Sequence, residues 1–290
     1  MKPAVDTQVF ETVAAYKQWH QKIRKENPQA RVGLVPTMGA LHAGHGELIK
    51  RARAESDFVV VWIFVNPLQF APHEDLDRYP RTFPADLELC RSLGADAVFH
   101  PSASEIYPQG AQESTKVIPP ERLAKHLEGA FRPHFFTGVA TVVLKFFNML
   151  QPDQAYFGEK DYQQLTIVKQ MVRDLNLPIE IRPVATVREK DGLAMSSRNV
   201  YLSDGEREIA PKLHEALEMV VKEASGGADL QAVLEKARGI VRAIPNAELQ
   251  YLESCDAETL EPLREWKLPA VTLVAAKIGN VRLIDNVVVR

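Results

Sequence analysis

A chain of 290 residues, 46% hydrophobic and 25% charged, is long enough for one large globular domain or two modest ones with real cores. A formal net charge of -3 leaves no bulk basic field to hold nucleic acid, so any anionic ligand needs a local cluster of donors. The two cysteines, Cys90 and Cys255, lie far apart, which argues against a disulfide framework or a zinc site and suits a reducing cytoplasm.

Residues 1–6 lack the apolar stretch of a signal peptide, and no membrane partner is expected. Residues 31–35 read as a strand, and 41–54 carry helical periodicity. The strongest apolar run, 58–65, is too short to span a bilayer and reads as a buried strand. Residues 85–93 are helical and 97–100 form a short strand, giving a β-α-β-α-β order with parallel strands. The stretches 68–84 and 102–120 read as long loops, which are often functional. Residues 137–150 form a buried helix, 154–157 a strand, 162–175 a helix and 179–183 a strand. From residue 187 the pattern changes to helices at 204–224 and 229–243, then strands at 249–253, 271–276 and 281–284. The fold expected is α/β: a Rossmann-like parallel sheet domain over 1–186 and a smaller α+β C-terminal domain over 187–290, with closure of the second over the site, about a hinge near Val187, expected by analogy alone.

Three segments carry chemistry. Pro36-Thr37-Met38-Gly39-Ala40-Leu41-His42-Ala43-Gly44-His45 joins the first strand to the first helix. A helix N-terminus there offers free N–H groups and partial positive charge, which suit phosphate. His42 and His45, three residues apart, face the same way; each can donate to a phosphate oxygen, and phosphate charge favours the protonated form. The alternative for this pair is a helix cap. Gly158-Glu159-Lys160-Asp161 ends another strand, with Lys160 a point charge for phosphate and Asp161 an acceptor for ribose hydroxyls. The alternative for Asp161 is an N-cap in a capping box with Gln164. Met195-Ser196-Ser197-Arg198 offers two hydroxyls and a guanidinium able to grip a polyphosphate, or else forms a polar interdomain loop.

A His-x-x-His turn followed much later by a Met-Ser-Ser loop resembles the HIGH and KMSKS pair of the nucleotidyltransferase superfamily. More narrowly, residues 36–45, 64–70, 79–82, 157–164 and 192–199 resemble the pantothenate synthetase family. The resemblance covers most of the chain. In one respect the chain departs from KMSKS loops: Ala194 stands where they begin with Lys, as it does in the narrower family.

That resemblance implies ATP-dependent condensation of pantoate with β-alanine through a pantoyl adenylate, releasing AMP and pyrophosphate, with magnesium. It implies that Met38, Gly39, Ala40, Leu41, His42, Ala43, Gly44, His45, Gly158, Glu159, Lys160, Asp161, Val187, Met195, Ser196, Ser197 and Arg198 bind ATP, Val187 through its backbone. His42, His45, Lys160 and Arg198 are the catalytic group; His45 is the residue usually given a proton-donor role, and phosphate electrostatics is the job its chemistry favours. Gln69 and Gln164 are implied for pantoate and Gln69 also for β-alanine, since a neutral amide both donates and accepts. Asp86 is the candidate magnesium ligand. A homodimer is implied, with the apolar stretch 61–65 a candidate contributor. Two alternatives share these residues: another nucleotidyltransferase, and a non-catalytic nucleotide sensor. Gly46, inside a helix, looks unusual, at a cost of about 1 kcal/mol against Ala.

Overall fold

Six short segments pair into one parallel sheet: β1 (Gln8–Phe10), β2 (Val32–Thr37), β3 (Phe58–Ile63), β4 (Ala97–Phe99), β5 (Gln154–Gly158) and β6 (Glu180–Val184). The strand order is β1-β4-β3-β2-β5-β6. The computed structural model describes residues 6–71, 74 and 76–290; residues 1–5 of the N-terminal stretch and 72, 73 and 75 of the 68–84 loop lie outside them.

The apolar runs of the central strands predict burial on both faces, and β3 shows why. Its alternate residues Val60 and Trp62 face one core, while Val59, Val61 and Ile63 face another. Helices α1 (Val13–Glu26), α7 (Phe135–Leu150) and α8 (Tyr162–Asp174) cover the first face. There Trp62 stacks on Phe146 with ring centroids 3.6 Å apart. Helices α2 (Ala43–Glu55) and α3 (Phe83–Ser92) cover the second. Residues 61–64 are therefore interior, at most 4% exposed, and cannot form the subunit contact the sequence left open for them.

From β2 the chain steps outward to β3 and β4, then returns to the other side of β2 with β5 and β6. This reversal opens a crevice between the carboxyl ends of β2 and β5, the usual ligand position in open α/β sheets. Short helices α4 (Ala103–Ile106), α5 (Glu121–Ala124) and α6 (Glu128–Phe131) punctuate the long stretch after β4.

The C-terminal part holds α9 (Asp204–Ile209), α10 (Lys212–Ser225) and α11 (Leu230–Arg242), then an antiparallel sheet of β7 (Ala247–Asp256), β8 (Ala270–Ile278) and β9 (Val281–Val289). Where the sequence suggested one helix over 204–224, the structure has two. Pro211 lacks an N–H and its ring crowds the preceding turn, so the helix breaks there. Helices α10 and α11 bury one face of this sheet. The other face packs Tyr251, Val271 and Leu273 against Leu123, Phe136 and Ile167 of the first part.

Gly138 in α7 shapes the site from behind. A Cβ there would sit 2.2 Å from the Leu68 carbonyl oxygen, so only glycine lets the turn Pro67–Gln69 lie against the helix. Gly138→Ala is expected to destabilise the fold by about 1–3 kcal/mol, overpacking outweighing the better helix preference of alanine. Urea unfolding checks this, and an unchanged midpoint would contradict it.

Candidate active site

The turn from β2 into α2 is held by its own histidines. His42 is the N-cap, and its Nδ1 accepts from the Gly44 N–H at 3.1 Å. His45, three residues on, accepts at Nδ1 from the His42 N–H at 3.3 Å. This is a capping box built from two imidazoles, which satisfies backbone donors that would otherwise be orphaned. The cap reading and the phosphate reading are thus compatible. With both Nδ1 atoms accepting, each ring carries its proton on Nε2, free to donate outward. The ring centroids are 4.1 Å apart. Gly44 must lack a side chain, because a Cβ would lie 2.8 Å from His42 Cε1. Gly46 is buried against Leu93, 3.3 Å from where its Cβ would be, which accounts for a glycine inside this helix.

Both imidazoles are poor bases in the ligand-free protein. Burial, then the Lys160 ammonium, pushes His42 down to about 4. Burial, then His42 and Lys160, pushes His45 down to about 3. Near neutral pH both rings are therefore uncharged, each presenting an Nε2–H.

Asp86, the expected magnesium ligand, has its carboxylate engaged by the turn before α2. The residue is 3% exposed. Its Oδ2 accepts from the Ala40 N–H at 3.0 Å, and its Oδ1 from the Leu41 N–H at 2.8 Å and the Thr82 hydroxyl at 3.1 Å. It ties down a turn in which Gly39 (φ +84°) and Ala40 (φ +50°) are both left-handed. A buried carboxylate committed to three donors does not fit a cation that demands an open octahedral shell. Among the described residues no group of three or more His, Cys, Asp or Glu could hold a metal.

At the end of β5, Gly158 leads into a short turn, Glu159–Asp161, and then α8. Asp161 occupies the N-cap position but makes no side-chain cap, so the capping box proposed with Gln164 does not form. The Asp161 carboxylate instead lies 3.9 Å from Lys160 Nζ. Consecutive glutamines divide the labour on α8. Gln163 is buried and bonds the Leu123 and His126 carbonyls and the Glu128 N–H. Gln164 points to the cavity, its amide without a hydrogen-bond partner among the described residues.

Gln69 sits on the turn after β3 and is positioned by residues that the sequence reading did not single out. Asn66, fully buried, donates from Nδ2 to Gln69 Oε1 at 3.0 Å and to the Gly138 carbonyl at 3.2 Å. Its Oδ1 accepts from the Tyr107 hydroxyl at 2.9 Å. With Oε1 engaged, Gln69 presents Nε2 as a donor. Arg132 donates to the Gln69 carbonyl at 2.8 Å while paired with Glu74 and Glu128. The Asn66-Pro67 turn signal was the visible clue to Asn66; Arg132 left none.

Residues 187–195 form a tight hairpin. Met195 N–H donates to the Val187 carbonyl at 3.0 Å, Glu189 N–H to Leu193 O at 2.8 Å, and Gly192 (φ +93°) turns the tip. The Val187 carbonyl is thus spent within the hairpin. Ser196 Oγ accepts from Arg198 N–H and starts the turn Ser197–Tyr201. Ser197 Oγ lies 3.3 Å from the Tyr79 hydroxyl, and the Arg198 guanidinium 5.9 Å from the Tyr79 ring centre. Ala194 is buried, so a lysine would be costly there, while Lys160 and Arg198 are among the cations that line the same cavity.

These segments surround one cavity of about 800 Å³, a size suited to small-molecule ligands. Met38, His42, Gly44, His45, Gln69, Gly158, Lys160, Asp161, Gln164, Val187, Met195, Ser196, Ser197 and Arg198 all line it. Gly39, Ala40, Leu41, Ala43, Glu159 and Asp86 are not on its wall, and of these Gly39, Ala40, Leu41 and Asp86 build the turn behind it.

The low imidazole pKa values set a pH signature. The unfolded chain takes up protons near 6.5, the ordinary histidine value, while the folded rings resist until about 4 and about 3. Their contribution to stability is therefore complete above about pH 6.5 and is lost as pH falls through about 4. Nitrogen NMR at pH 5 should show both rings still neutral and Nε2-protonated; a His45 midpoint near 6.5 would refute this.

A family model for Pantoate-beta-alanine ligase matches residues 8–288. The chain is 49% identical over 263 residues to the bifunctional pantoate ligase/cytidylate kinase of Synechococcus elongatus, covering 90% of this chain and 50% of that protein. It thus spans about half the length of such curated relatives. The crystal structure of the pantothenate synthetase of Thermus thermophilus superimposes with a TM-score of 0.91 at 47% identity, covering 97% of this chain and 99% of that one. A pantoate-beta-alanine ligase from Francisella tularensis, solved in complex with beta-gamma ATP and beta-alanine, matches with a TM-score of 0.79 at 37% identity over 97% of each chain. With its cavity at the sheet reversal and a match running nearly end to end, the chain belongs to the pantoate-β-alanine ligase family.

Proposed function

We propose that this chain condenses pantoate with β-alanine at the expense of ATP through a pantoyl adenylate. A pantoate carboxylate oxygen attacks the α-phosphorus, the bond to the bridging oxygen breaks, and pyrophosphate leaves with the electron pair. The β-alanine amine then attacks the acyl carbon, the acyl–oxygen bond breaks, AMP departs, and the amine proton passes to solvent. Both nucleophiles are substrates, so the protein supplies position and charge stabilisation.

One observation carries this reading. Two neutral Nε2–H donors, an ammonium and the Ser196–Arg198 turn share a single cavity with two glutamine amides. In this reading His42, His45, Lys160 and Arg198 act on the phosphates, with Met38, Gly44, Gly158, Asp161, Val187, Met195, Ser196 and Ser197 completing the nucleotide site. A histidine with a pKa near 3 is a hydrogen-bond donor to developing charge rather than a ready acid, so His45 holds charge rather than delivering a proton. Gln69 and Gln164 read the hydroxyls and carboxylate of pantoate, and Gln69 also meets β-alanine. A site built to pair hydroxyls rejects analogues lacking them by a factor on the order of 10⁴.

Magnesium in this reading enters on the ATP phosphates with its water, not on Asp86. The division at residue 187 is supported by separate cores in the two parts, although a further core is shared between them. A cytoplasmic location is supported by two buried free thiols; among the described residues no helix is long and apolar enough to cross a membrane. A homodimer rests on the family resemblance, and light scattering that gives the mass of a single chain would overturn it.

The decisive assay uses isotopically labelled β-alanine. AMP and labelled pantothenate should appear only with ATP, pantoate and magnesium together. Asp86→Asn should keep the same magnesium dependence while weakening the turn it ties. Absence of AMP with all substrates present would sink the function, and a shifted magnesium requirement in Asp86→Asn would restore that residue as a ligand.

A further inference from the structure

Two adjacent residues of β9 hold two different segments that line the cavity. Asn286 is 5% exposed, and its Nδ2 donates to the carbonyls of Glu159 at 2.9 Å and Lys160 at 2.8 Å. Both protons of that amide are thus spent on the loop that carries Lys160. Asp285 is 5% exposed and grips the Arg188 guanidinium with both oxygens, at 2.6 and 2.9 Å. Arg188 also donates to the Gly192 carbonyl at 3.1 Å, inside the hairpin that leads to Met195 and the Ser196–Arg198 turn. Its other arm reaches the Asn286 carbonyl at 3.3 Å. His214 closes the arrangement from α10: its Nδ1 lies 3.6 Å from Asp285, and its ring packs under Gly192, whose Cβ would sit 2.8 Å from it.

Successive side chains on a strand leave opposite faces, so one strand can hold two different loops. Backbone carbonyls and a bidentate ion pair are stiff partners, and both are partly buried here. The Lys160 loop and the hairpin leave the carboxyl ends of the neighbouring strands β5 and β6. Beyond the sheet, each is tied to the same third element, β9 of the C-terminal sheet.

We propose that Asp285 and Asn286 are positioning residues that fix the span between the Lys160 loop and the Arg198 turn, so that both cations meet the same polyphosphate. This rests on the reading of the cavity as an ATP-adenylating site. Neither residue needs to touch substrate; each acts through the loop it holds. Adenylate formation depends on that span, because charge moves to pyrophosphate in that step. Amine attack on the finished adenylate does not.

The test separates the two half-reactions. Asn286→Ala, and the equal-sized Asn286→Asp that lacks both donors, should slow pantoate-dependent ATP–pyrophosphate exchange by about 10- to 100-fold. Transfer from chemically prepared pantoyl adenylate to β-alanine should stay near the wild-type rate. Exchange at the wild-type rate in either variant overturns the proposal, and so does an equal loss in both half-reactions, the mark of a merely structural role. If circular dichroism shows that the Asn286 variants do not fold, Arg188→Lys, which keeps the charge and gives up the bidentate grip, should show the same split. Wild-type protein that forms no AMP would instead refute the functional reading beneath it.

Discussion

The first N–H groups of a helix have no partner within it, and α2 satisfies two of them with imidazoles. Much else follows from that choice. Because each Nδ1 accepts a backbone hydrogen, each ring is fixed as the Nε2–H tautomer and held in one orientation. Because both rings are buried, with the Lys160 ammonium nearby, protonating either is unfavourable. The same contacts demand glycine at residue 44 and a rigid approach from β2, which Asp86 provides by holding Ala40 and Leu41. A serine or aspartate cap would serve the helix equally well, but it would not leave a ring N–H donor facing outward.

Charge in this protein is local rather than global. The formal net charge is -3, yet Lys160, Arg198, Arg132 and Arg282 all face one cavity. Two of these cations are already matched. Arg132 pairs with Glu74 and Glu128, and Arg282 pairs with Glu128. Burial alone would raise the Glu74 carboxyl, but its hydrogen bond and charge pairing with Arg132 hold it below the ordinary value. Arg132 and Arg282 thus shape the wall together with their carboxylates, while Lys160 Nζ lies 3.9 Å from the Asp161 carboxylate.

The sequence made the sheet legible because β-branched runs such as Val59–Ile63 are hard to place anywhere but a buried parallel strand. It also exposed the turns after β2 and β5, where glycine, histidine and lysine cluster within a few residues. What it hid is long-range partnership. Asp86 reads as an acid at a helix start; that it serves residues 40 and 41 is a fact about packing between α2 and α3. Asn66 and Arg132 likewise act through residues 41 and 63 positions away. Helix α1, whose buried residues are Tyr16, His20 and Ile23, was not singled out in the sequence. Adjacent residues such as Gln163 and Gln164 can be told apart only once the helix phase is fixed, since about 100° of rotation separates a core ligand of the backbone from a cavity wall.

The shared core between the two parts bears on how ligands get in. Tyr251, Val271 and Leu273 of the C-terminal sheet interlock with Leu123, Phe136 and Ile167 across the boundary. Swinging the C-terminal sheet away as a rigid body would wet this apolar seam, at about 25 cal/mol for every Å² uncovered. The thinner walls are the 76–82 segment and the Ser197–Tyr201 turn, joined by the contacts of Ser197 with Tyr79 and of Tyr201 with the Arg78 carbonyl. A movement confined to that side would break hydrogen bonds such as these and leave the oily seam shut. The cavity is thus built like a room with a fixed rear wall and a hooked shutter.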